Sequence, residues 1–110
     1  MRQFLIDDLS PMERDNIDSY LKRNLKNGPM TGLYWIVLPE ELLNDIQKEH
    51  TDCAPYYCGV EVAKDSVCFE FLVRSNAHLH CECIAHTTPK QRQYILDFLD
   101  TMLDEEQIRS

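Results

Sequence analysis

Two helix starts, one near each end of the chain, constrain this sequence more than any other feature. In Ser10-Pro11-Met12-Glu13 a serine stands at the N-cap, proline at the first helical position and glutamate at the third. The serine hydroxyl accepts from the Glu13 amide while the Glu13 carboxylate reaches back to the Ser10 amide, so two of the N–H groups that a helix start leaves free are satisfied. Thr88-Pro89-Lys90-Gln91 repeats the design. The first helix carries Ile17, Tyr20, Leu21 and Leu25 on one stripe. Its acids (Glu13, Asp15, Asp18) come early and its bases (Lys22, Arg23, Lys26) late, as the helix dipole favours. Asn27-Gly28-Pro29 is expected to end it, with glycine in the left-handed position after the last turn. The last helix presents Tyr94, Ile95, Phe98, Leu99, Met102 and Leu103 as a continuous apolar face, which a sheet is suited to cover.

Between these helices, Leu33-Tyr34-Trp35-Ile36-Val37-Leu38 is free of charge and flanked by Gly32 and Pro39, which predicts a strand buried on both faces. Pro39-Glu40-Glu41-Leu42-Leu43 opens a shorter helix expected to reach His50, followed by a loop over 51–55. From Tyr56 the alternation switches to period two and predicts three strands, Tyr56–Ala63, Ser66–Arg74 and His78–His86. The order α-β-α-β-β-β-α describes an α+β fold, a mainly antiparallel four-stranded sheet with helices packed on one face. A length of 110 residues suits one domain, 1–110, with a core of its own.

Strand register follows from keeping apolar side chains together. A tight turn at Lys64-Asp65 pairs Val62 with Val67, Val60 with Phe69 and Cys58 with Phe71. A loop centred on Ser75-Asn76-Ala77 then pairs Val73 with Leu79, Phe71 with Cys81, Phe69 with Cys83 and Val67 with Ala85. Cys58, Cys81 and Cys83 thereby fall on the core face, where free cysteine behaves as a small hydrophobe. The outer face collects Tyr57, Glu61, Cys68, Glu70, Leu72, Arg74, His78, His80, Glu82, Ile84 and His86. Glu70 and Glu82 oppose each other there, an arrangement that needs a proton or a cation between them. Cys68, facing outward, is expected to be more reactive than Cys81 or Cys83.

The net charge of −8 argues against nucleic acid or an anionic membrane as partner, because phosphate contacts need clustered lysine and arginine. No apolar run approaches the ~18 residues of a membrane span and no leader pattern is present. Five cysteines, an odd number placed in strand-like sequence, suggest reduced thiols and a cytoplasmic location. No phosphate-binding loop, serine-hydrolase elbow or HExxH motif occurs, so no enzymatic activity is assigned.

All five cysteines and all four histidines lie between residues 50 and 86. His50-x-x-Cys53 followed by Cys58 supplies three zinc donors, and His86 is a candidate fourth, at a spacing that matches no zinc ribbon or finger. His50 is also the only local base for a Cys53 thiolate. The first functional expectation is a small acidic interaction or regulatory protein without a cofactor. It would form a homodimer or bind a protein partner through Tyr57, Glu70, Leu72, Arg74, His80, Glu82 and Ile84. The alternative is a zinc, iron or thiol-dependent protein built on the Cys/His cluster.

Overall fold

A computed structural model describes residues 2–78 and 80–108. Seven strands and three helices occur among them: β1 (Gln3–Ile6), α1 (Pro11–Asn24), β2 (Lys26–Asn27), β3 (Leu33–Val37), α2 (Asp45–Glu49), β4 (Tyr56–Val62), β5 (Val67–Glu70), β6 (Leu72–Ser75), β7 (Ala85–His86) and α3 (Pro89–Glu105). Single turns of 3-10 helix at Glu40–Leu42 and Thr51–Cys53 flank α2. The sheet is antiparallel in the order β1-β5-β4-β3-β2, with β6 pairing with β4 and β7 pairing with β6. The fold is therefore mixed α/β with seven strands, rather than four in the expected order. None of the described helices is long and apolar enough to cross a membrane.

Both capping boxes form. Ser10 accepts from the Glu13 amide while the Glu13 carboxylate accepts from the Ser10 amide, and Thr88 and Gln91 repeat the exchange. The stripes they launch pack on one side of the sheet. Ile17, Tyr20 and Leu21 of α1 and Ile95, Leu99 and Met102 of α3 are buried with Ile36, Val60, Phe69 and Phe71 in one core. Tyr20 meets Phe98 edge-on, with ring centroids 5.8 Å apart. Helix α1 stops at Asn24 and Leu25 is already extended, because the chain passes directly into β2 instead of turning through a left-handed glycine.

Other elements depart from expectation for identifiable reasons. Strand β3 buries only one face: Tyr34 and Ile36 are buried, Leu33 and Trp35 half-buried and Val37 exposed. The helix expected from Pro39 breaks after one 3-10 turn and restarts at Asn44, whose side chain accepts from the Gln47 amide in a third capping box. An internal cap of this strength competes with helix continuation.

The first hairpin has the expected register at Val60–Phe69 and Val62–Val67. It fails at Cys58–Phe71, because the strand breaks at Phe71 and resumes with Tyr57 opposite Arg74. Three steps along β4 thus face five along β5 and β6. Two is an even insertion, so the alternation survives and Phe69, Phe71 and Val73 all remain buried. The break also brings Arg74 to Glu70, whose Oε1 accepts from Nε at 3.1 Å and from a terminal guanidinium nitrogen at 2.7 Å.

The second hairpin is overturned. The flank of β5 that a third long strand would need is taken by β1, in the register Gln3–Glu70, Phe4–Phe69, Leu5–Cys68 and Ile6–Val67. The expected strand His78–His86 shrinks to β7, where Ala85 faces Val73 and His86 faces Leu72. Phe71–Cys81, Phe69–Cys83 and Val67–Ala85 do not pair, and Val73–Leu79 involves a residue outside those described. Glu70 and Glu82 are not opposed, since Gln3 stands opposite Glu70.

Candidate metal centre

Freed from the sheet, the segment before β7 turns back toward the Thr51–Cys53 helix. His50, Cys53, Cys81 and Cys83 each place one donor atom within 4.8 Å of all the others. The Nδ1 of His50 lies 3.1 Å from the Cys81 Sγ and 3.9 Å from the Cys53 Sγ, and the two sulfurs are 3.7 Å apart. A tetrahedral zinc, with zinc–sulfur ~2.3 Å and zinc–nitrogen ~2.0–2.1 Å, separates its donors by about 3.5–3.8 Å. The observed separations bracket that edge length.

Local structure explains the convergence. His50 and Cys53 sit three residues apart across a 3-10 turn, closed by the Cys53 N–H donating to the His50 carbonyl at 3.0 Å. Three residues per turn put both side chains on the same side. Cys81 and Cys83 lie in a second tight turn, closed by the Ile84 N–H donating to the Cys81 carbonyl at 3.0 Å.

A chain of buried amides holds the two turns against each other. Gln91, at 0% exposure, donates through Nε2 to the Leu42 carbonyl and to Oε1 of Gln47, at 1% exposure. Gln47 in turn donates to the Cys83 carbonyl at 3.0 Å. The Tyr56 hydroxyl donates to the His50 carbonyl at 2.8 Å and the Ser75 hydroxyl to the Cys53 carbonyl. The carbonyl of each of the four residues is therefore tied down, which would limit the cost of ordering their side chains around a metal.

Crowding of the thiols makes them perturb one another. Burial, then the hydrogen bonds that the Cys53 thiol makes as donor toward Cys83 and Cys81, push it up to about 12. Burial raises Cys83 as well. Cys81 is held down to about 7, chiefly by the Cys83 backbone N–H and by the neighbouring Cys83, Cys53 and His50 side chains. The hydrogen bond that His50 donates to the Cys81 sulfur raises His50. A dication held by these residues would take the three sulfurs as thiolates, because metal-coordinated thiols are deprotonated. On the far side of the ring, His50 Nε2 faces Glu82 Oε1 at 3.5 Å, the place of the carboxylate that commonly orients a metal-bound imidazole.

Of the sequence-derived metal candidates, His50 and Cys53 join this cluster. Cys58 does not: it is buried on β4 opposite Ile36, with its thiol pushed up to about 12 by burial. His86 is exposed on β7 opposite Leu72. Cys81 and Cys83, read from sequence as core residues of a strand, are the other two donors. Their signal was the Cys-x-Cys pair itself, hidden by an alternation that looked like a strand.

The outer-face candidates divide. Tyr57, Glu70, Leu72 and Arg74 alternate with the buried residues of their strands, away from the helices. Tyr57 stacks on Trp35, with centroids 4.1 Å apart and planes 19° from parallel, and Lys26 Nζ lies 5.7 Å from the Trp35 ring. Ile84 instead packs against the core, Glu82 faces His50, and exposed His80 borders the recess beside Cys53 and Cys81. No family model, curated protein or solved structure matches the chain.

Proposed function

We propose that this chain is a zinc-binding protein with a structural Cys3His centre formed by His50, Cys53, Cys81 and Cys83. The convergence of their four donor atoms within 4.8 Å carries the reading. Four protein donors close the coordination sphere, as in structural rather than catalytic zinc sites. Three thiolates with one imidazole are a common structural zinc set, whereas iron–sulfur clusters are held mostly by four cysteines. The metal fastens the segment between β6 and β7, which has little sheet pairing of its own, to the α2 end of the domain. Protein prepared without chelator or affinity-tag metal is expected to retain tightly bound zinc, and Cys83→Ser to lose it. Absence of zinc from the isolated protein, together with failure of the metal-free protein to take it up, would overturn the proposal.

A second reading concerns what the stabilised domain does. The Trp35–Tyr57 stack, with exposed Leu5 and Val37, favours the outer sheet face as a surface for a protein partner or a second copy of the chain. Light scattering of wild type and Val37→Lys at matched concentrations tests self-association. A monomer in both cases removes the homodimer.

A further inference from the structure

We propose that a second divalent cation binds beside the first, in an open site formed by Asp52, His78 and Cys53 as a bridging thiolate; the inference rests on the zinc reading of Cys53. Asp52, Cys53 and His78 each place a donor atom within 4.8 Å of the other two. Asp52 Oδ2 and His78 Nε2 are 3.7 Å apart, close to the donor separation around a single zinc. Cys53 belongs to both donor groups, so the two sites share one sulfur.

The arrangement is built rather than accidental. Ser75 is buried at 4% exposure, and its hydroxyl donates to the Cys53 carbonyl while accepting the N–H groups of Ala77 and His78, each at 3.1 Å. One side chain thus fixes the backbone at both His78 and Cys53. Asp52 is held by the same 3-10 turn that carries Cys53. A recess of about 360 Å³, lined by Asp52, Cys53, His78 and Cys81 among others, gives a cation access from solvent.

Charge favours occupancy. A Cys3His site holding a dication keeps one net negative charge, and Asp52 adds another beside it. A thiolate bound to one zinc retains lone pairs for a second, and oxygen, nitrogen and sulfur donors together suit a borderline cation such as zinc. Three protein donors leave one position to water, so the second site differs in kind from the closed first one.

Native mass spectrometry of metal-free protein titrated with zinc tests this. Wild type is expected to bind two zinc ions per chain, and His78→Ala and Asp52→Asn one each, with unchanged melting in saturating zinc. The His86→Ala control is expected to keep both ions. One ion in wild type overturns this inference and leaves the closed centre standing, whereas none overturns both. Two ions retained in His78→Ala and Asp52→Asn would mark the second as adventitious and overturn the site.

Discussion

The Sγ atoms of Cys53 and Cys81, 28 residues apart in the chain, lie 3.7 Å from each other. The two thiols belong to different tight turns, and three of the seven strands lie between those turns in the chain, so their meeting depends on how the sheet is folded. A cross-link at this point closes a loop that includes β4, β5 and β6. Its closure entropy is then already spent in the unfolded chain or regained as binding energy on folding.

Metal removal is therefore expected to lower stability substantially. Structural zinc contributes folding free energy directly, and each kcal/mol moves the Tm of a domain near this size by about 4–8 °C. Chelator-treated protein is expected to melt at least ~10 °C below the zinc-loaded form, with recovery on adding zinc. Superimposable melting curves would show that the four donors do no structural work.

Thiol reactivity separates this structure from the expected hairpin. Cys81 is held down to about 7 while burial raises Cys68, so at neutral pH the thiolate fraction is larger at Cys81. In metal-free protein, alkylation followed by mass mapping is expected to find Cys81 modified before Cys68. Zinc is expected to reverse the order by occupying the Cys81 sulfur. Cys68 reacting first in both states would return Cys81 to a buried strand.

Glu82 offers a test that leaves all four donors in place. Replacing it with alanine removes the carboxylate facing His50 Nε2 and leaves the imidazole less firmly oriented. Zinc affinity, measured by competition with a chromophoric chelator, is expected to fall about 10–100-fold. Melting in saturating zinc should change little. An unaltered affinity would mean that the Glu82 contact is only a surface ion pair.

Sequence logic was strongest where the signal is local. The boxes at Ser10–Glu13 and Thr88–Gln91 involve only neighbouring residues, and both form. The Val60–Phe69 and Val62–Val67 pairs follow from a short turn and strict alternation. The second hairpin was not legible because Gln3–Ile6 occupies the flank of β5, and nothing in four residues near the start announces that competition. His80, Cys81, Glu82 and Cys83 alternate as a strand would, yet Cys81 and Cys83 join a cluster whose other half lies around position 50. Spacing within either half matches no familiar motif, so only tertiary structure joins them.

Phe71 lies where the long strand breaks, and its ring is fully buried beneath the guanidinium of Arg92, 5.8 Å from the ring centroid. Its backbone is held from both sides, the N–H by the Arg2 carbonyl and the carbonyl by the Thr87 N–H. Phe71→Ala is expected to cost on the order of 3–5 kcal/mol in denaturant unfolding, a large part of the stability of a domain this size. A loss below ~1 kcal/mol would mean that the break collapses around the smaller residue.

Alkaline pH tests the tie between β3 and α1. The Tyr34 hydroxyl, on a residue at 2% exposure, donates to Asp18 Oδ1 at 2.6 Å. Burial, then the Asp18 hydrogen bond and charge, pushes the phenol from 10.0 up to about 12. A phenol with a raised folded-state pKa binds its proton more tightly in the native protein than in the unfolded chain. Its contribution is complete below pH 10 and is lost as the pH rises from 10 through about 12. Tyr20 is also raised, by burial and Glu105, so part of the alkaline loss belongs to it. Tyr34→Phe is expected to be less stable than wild type at pH 8, by roughly 1.5–3 kcal/mol for a hydrogen bond to a charged acceptor. Between pH 10 and 12 its stability is expected to fall less steeply, so that the two unfolding curves converge. Parallel curves over that interval would assign the alkaline transition to other tyrosines and leave the Tyr34–Asp18 bond energetically neutral.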